Sequence, residues 1–132
     1  MVITSLDNDR IKGYIKLKDR KNRKKTNTFI VEGMHSVLEA YKKGMVVELI
    51  LKEDISLPLD VLALCKMAND NVVLGEKILL LDGIQDPGNL GTIIRSAVAF
   101  NVDTICLSPD TVDIYNPKVL RSTQGMIFHT NI

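Results

Sequence analysis

Tryptophan is absent, and three tyrosines and three phenylalanines are the only aromatic residues. The N-terminal half therefore shows no aromatic platform on which nucleobases would stack, and any nucleic acid held there is expected to be recognised by phosphate and shape. Cysteine is scarce: Cys65 and Cys106 are isolated thiols in apolar surroundings. They read as buried free cysteines of a reducing compartment. His35 and His129 are far apart, and no His/Cys cluster has metal-ligand spacing, so no metal is expected. No apolar run reaches membrane-spanning length, and no basic-then-apolar leader opens the sequence. The expectation is a cytoplasmic protein without membrane contact.

Charge of one sign is missing only on average. The net charge of 132 residues is +1. Residues 1–30 hold nine Lys/Arg against three Asp, a net of +6, and the remainder eight Lys/Arg against thirteen Asp/Glu, a net of −5. Lys18, Arg20, Lys21, Arg23, Lys24 and Lys25 form a dense run. Such a run is a solvated segment or a collector of polyanions by counterion release.

The most informative stretch is Lys77 to Phe100, KILLLDGIQDPGNLGTIIRSAVAF. Ile78 to Leu81 has the continuous apolar pattern of a strand buried on both faces. Gly83, Pro87, Gly88 and Gly91 punctuate a loop. From Leu90 the apolar residues recur at helical spacing: Leu90, Ile93, Ile94, Ala97 and Val98. The pattern is strand, glycine-rich loop, helix, and in open α/β sheets ligands gather at that end of a strand. Asn89 reads as the N-cap. Arg95 lies about 130° from the centre of the apolar stripe, toward the loop side or solvent. No Gly-Lys-Ser/Thr follows and no G-x-G precedes, which excludes a P-loop and a dinucleotide fingerprint. Spacing alone leaves the loop open as a connection or as a site.

Elsewhere, Asn8 to about Lys18 reads as an amphipathic helix with Ile11, Tyr14, Ile15 and Leu17 on its apolar side and Arg10, Lys12, Lys16 and Lys18 outside. The basic run to Lys25 reads as a loop. Strands are expected at Thr28–Val31 and Val46–Leu51, around a helix marked by Met34, Val37, Leu38 and Tyr41 and closed by Gly44. Glu53 to Glu76 is weakly patterned and broken by Pro58; Val61–Met67 is left open between strand and helix. A strand at Thr104–Leu107, a helix opened by Pro117 and ended by Gly125, and a third strand that starts with Met126 to Phe128 complete a β-α-β-α-β order. That order implies a parallel sheet.

Asp86 to Ala97, DPGNLGTIIRSA, resembles the first motif of the SpoU (TrmH-like) branch of the SPOUT RNA methyltransferases. Tyr115 to Gly125, YNPKVLRSTQG, resembles the segment that follows it, and Phe29 to Gly33, FIVEG, the start of the family's N-terminal RNA-binding domain. The resemblance covers most of the chain. It implies an α/β protein with two parts. Residues 1–66 would be a small, ribosomal-protein-like RNA-binding domain, abbreviated relative to the family. Residues 77–132 would be the first half of a parallel, Rossmann-like methyltransferase sheet, with the boundary near residues 66–76. It implies ribose 2′-O-methylation of RNA (rRNA or tRNA) with S-adenosylmethionine as donor, and a homodimer.

By matching position, Arg95 and Asn89 are the catalytic candidates. Arg10, Lys16, Arg23, Lys24, Lys25, Asn116, Lys118 and Arg121 are the RNA-binding candidates. The family's C-terminal knot, which binds the cofactor, would lie beyond Ile132 and is missing from the sequence. No cofactor-binding residue is assigned, and these 132 residues are expected to bind S-adenosylmethionine negligibly. The alternatives are a non-catalytic RNA-binding protein and an inactive fragment.

Overall fold

An N-terminal amphipathic pattern becomes helix α1, Asp9–Lys16, capped by the Asn8 side chain, which accepts from the Arg10 N–H at 2.9 Å. The computed structural model describes residues 8–51, 61–69 and 73–132. It divides into two units, Met1–Met67 and Ala68–Ile132.

In the first unit Ile11 and Leu17 are buried, but Ile15 is half exposed, so the apolar side of α1 is narrower than its sequence suggests. The basic run is not a loop: Arg20–Thr26 forms helix α2. Its cause is a set of side-chain bonds to the end of α1, which sequence periodicity cannot reveal. Strand β1 (Thr28–Glu32), helix α3 (Met34–Lys42), strand β2 (Val46–Leu51) and strand β3 (Val61–Lys66) follow. Gly44, at φ 74°, ends α3 as expected. The ambiguous stretch after residue 60 is therefore a strand. It inserts between the other two, giving the order β1-β3-β2 with both pairings antiparallel. Phe29 opposite Cys65 and Val31 opposite Ala63 share one face and are buried, which places the core there. Pro58 lies outside the described residues.

The second unit opens with β4, Ile78–Leu81, paired in parallel with β5, Thr104–Leu107, in the register Ile78–Thr104 to Leu81–Leu107. Helix α4, Pro87–Ala99, joins them, and α5, Pro117–Thr123, follows β5. Leu90, Ile94 and Ala97 form the buried stripe of α4. Each large apolar side chain so buried contributes about 1.5–3 kcal/mol.

Two expectations fail here. β4 is not buried on both faces: Ile78 and Leu80 are 43% and 75% exposed. Among the described residues its sheet has only two strands, so one face of β4 is uncovered. Met126–Phe128 is not a strand but part of a 3-10 turn, Met126–His129. Gln124 and Gly125 both take left-handed φ angles of 49° and 83°, which turns the chain and buries Ile127 and Phe128. Extended pairing beside β5 begins only at Asn131, which bridges Thr104 in parallel.

Candidate active site and nucleic-acid interface

The carboxyl ends of β4 and β5 carry two loops, residues 82–86 and 108–116, that are tied together. The Gly83 N–H donates to Ser108 Oγ at 2.9 Å, and the Gln85 side-chain amide donates to the Asp110 carbonyl at 3.1 Å. The Val112 N–H donates to the Ile84 carbonyl at 2.8 Å, and the Ser108 N–H to that of Leu81 at 2.9 Å. The two loops thus form one floor from which α4 and α5 rise.

Each helix starts in the same way, with a polar cap followed by proline. Asp86 caps α4: its Oδ2 accepts from the Asn89 N–H at 2.7 Å. Asn116 caps α5, its Oδ1 accepting from the Lys118 N–H at 2.9 Å. Asn89 is therefore not the N-cap. Proline fits the first helical position and pushes the residue before it to an extended conformation, so the cap falls on Asp86, at φ −79° and ψ 121°. The correction releases the exposed Asn89 side chain from a structural duty. It also closes the helix N-terminus to anions, because a carboxylate already occupies it.

Arg95 is exposed, as expected. Its position relative to α5 follows from Gly91. A Cβ on Gly91 would lie 2.2 Å from Ser122 Cβ and 2.9 Å from the Ser122 carbonyl carbon, so α4 and α5 touch there through backbone. Arg95 is one turn on from Gly91 on the same side of the helix, which sets it at the flank of the α4–α5 seam. Asn89 sits about 120° around the helix from Arg95, at the other edge of the exposed arc, with Thr92 between them. Lys118 and Arg121 are exposed on α5. The Asn116 oxygen, in contrast, is engaged in capping.

The first unit provides a separate basic surface. Lys16, Lys24 and Lys25 are exposed. Arg10 is paired with Glu48, whose other carboxylate oxygen accepts from Tyr14 Oη at 2.7 Å, so this arginine helps hold α1 to β2. Arg23 is 2% exposed, and its guanidinium donates to the Leu17 and Lys18 carbonyls at 3.0 and 2.6 Å. It is not part of the surface. Sequence reading marks Gln85 and Asp86 as polar loop residues beside a ligand but misses their roles as clip and cap; the Asp-Pro pair at a strand-to-helix turn is the available signal for the cap. No signal pointed to the Gln85 clip.

Among the described residues no group of three metal-ligating side chains occurs, and no helix is long and apolar enough to cross a membrane. At this end of the sheet the N–H groups of Gly83, Ser108 and Val112 are bonded to the neighbouring strand or loop.

Comparison with known proteins gives two domain matches: residues 76–132 to the SpoU rRNA Methylase family, and residues 8–74 to the MRM3-like substrate binding domain. The 23S rRNA (guanosine(2553)-2′-O)-methyltransferase RlmP of Bacillus subtilis is 38% identical over 154 residues, covering 96% of this chain and 62% of that protein. The crystal structure of an AdoMet-bound rRNA methyltransferase from Sinorhizobium meliloti superposes with a TM-score of 0.85 at 26% identity. It covers 98% of this chain and 62% of that one. The human mitochondrial rRNA methyltransferase 3 is 44% identical over 55 residues, 42% of this chain and 13% of that protein. The chain thus spans less than two thirds of the length of the first two.

Proposed function

The chain belongs to the SpoU rRNA methylase family, and from that premise we propose that it acts in ribose 2′-O-methylation of RNA, contributing the RNA-binding surface and the side chains that face the reacting sugar. The family's cofactor is S-adenosylmethionine. No residue of this chain is assigned to it, and no step is derived through it.

The observation that carries the proposal is the exposure of Asn89, in the first turn, and of Arg95, in the third, on a helix whose N-terminus is already satisfied by Asp86. A guanidinium titrates above about pH 12 and is a poor base. Arg95 instead binds the phosphate beside the target ribose and stabilises the alkoxide that develops as the 2′-hydroxyl sheds its proton. Asn89 orients the sugar. Lys118 and Arg121 extend the phosphate path along α5, and the exposed lysines of α1 and α2 gather the RNA electrostatically. Relatives named for rRNA support rRNA over tRNA as the partner. A cytoplasmic setting is supported by the free, buried Cys65 thiol, and a homodimer belongs to the same reading.

Arg95→Ala tests the proposal. A charge-assisted hydrogen bond contributes about 1.5–3 kcal/mol, so RNA affinity measured by fluorescence anisotropy falls roughly tenfold or more. The thermal midpoint stays within error, because the side chain is exposed. Unchanged affinity would remove Arg95 from the site.

A further inference from the structure

Helix α2 has no hydrophobic residue: its seven residues are Arg-Lys-Asn-Arg-Lys-Lys-Thr. It has no apolar stripe to bury, it is shorter than isolated helices that persist in water, and its neighbouring cations repel. Two side chains hold it instead. Asn22 Nδ2 donates to the Lys16 carbonyl at 3.0 Å, and Arg23 Nη1 donates to the carbonyls of Leu17 and Lys18 at 3.0 and 2.6 Å. These carbonyls close α1, where the helix leaves acceptors without intrahelical donors and its dipole is negative. A buried guanidinium is costly unless it is hydrogen-bonded, and the carbonyls of Leu17 and Lys18 at the end of α1 accept from its Nη1.

The helical wheel gives this burial a consequence. At about 100° per residue, Arg23 points away from Lys21 and Lys25, with Lys24 at the side of the helix and Arg20 about 60° from Arg23. All four of those cations are exposed. We infer that Arg23 is a positioning residue for RNA: by stapling α2 to the end of α1 it converts a disordered basic run into a fixed row of four cations, and it does not itself touch phosphate. The identity of the partner as RNA rests on the function proposed above.

The whole chain is titrated with a short fluorescein-labelled oligouridylate at several KCl concentrations, as wild type and as Arg23→Lys, Arg23→Met, Asn22→Ala and Lys24→Ala. Hydrogen exchange at residues 20–26 and in β1 and β3 is followed in parallel. A phosphate contact by Arg23 would leave Arg23→Lys near wild type, and Arg23→Met would reduce the slope of log K against log salt by about 0.7, one phosphate. The staple predicts otherwise. Arg23→Lys and Arg23→Met both lose tenfold or more in affinity at low salt and flatten the slope by about 1.4 or more. Both exchange faster at residues 20–26 while β1 and β3 stay protected. Asn22→Ala, the milder lesion, loses a smaller factor in the same direction. Lys24→Ala flattens the slope by about 0.7 without faster exchange.

Wild-type affinity in Arg23→Lys overturns the inference, and so does faster exchange with an unchanged slope. If Arg23→Lys and Arg23→Met unfold β1 and β3, Asn22→Ala decides alone. Wild-type chain that binds the oligouridylate without salt dependence overturns the RNA reading, and this inference with it.

Discussion

Single residues divide between those that hold the site and those that face it. Asp86 holds it: its carboxylate satisfies the first turn of α4, and Asp86→Ala is expected to cost about 1 kcal/mol in urea unfolding. Cys65 lies in the core of the first unit, and burial pushes its thiol from 9.0 to about 12. Between those values the unfolded chain has released this proton and the native chain has kept it. Stability therefore falls as pH rises from 9 toward 12, and this group has no effect below 9. Urea titrations of wild type and Cys65→Ala check this: the wild type loses stability relative to the variant across that window. Parallel curves would show the thiol to be less buried than the structure has it. The exposure of Arg95 was legible from its spacing, whereas the roles proposed for Arg95 and Asn89 rest on the motif. The capping role was misassigned because a single polar residue beside a proline shifts a helix start by three positions.

At the scale of elements, the sequence revealed those whose cause is local. The apolar period of α4, the strand at β5 and the glycine after α3 each lie within a few residues of the feature they produce. α2 and the 3-10 turn were not legible in this way, because their causes are side-chain bonds to the end of another helix and a pair of left-handed residues. The α4–α5 contact belongs to the same class. Gly91 reads in sequence as a loop residue, yet it sits inside the helix where the Ser122 backbone passes. Gly91→Ala is expected to destabilise by about 1–3 kcal/mol through overpacking, even though alanine is the better helix former by about 1 kcal/mol. Adding Ser122→Gly relieves only part of that loss, since the carbonyl carbon of residue 122 remains 2.9 Å from the new Cβ. Denaturant midpoints of the single and double variants measure both.

For the molecule as a whole, the charge is concentrated where the structure builds its N-terminal helices, and the acidic excess lies in the rest. Lys16, Lys18, Arg20, Lys21, Lys24 and Lys25 are all exposed. If most of them meet phosphates of a single strand, log K falls against log salt with a slope of about −3 to −4. Replacing Lys24 and Lys25 together with Glu flattens that slope and lowers affinity at every salt concentration. The most direct test of the account is hydrogen exchange of the whole chain with and without a short single-stranded RNA. The account predicts slowed exchange in two places, residues 16–26 and α4 from Asn89 to Arg95, with the cores of both sheets unchanged. Slowing confined to other segments, or none in either place, would contradict it.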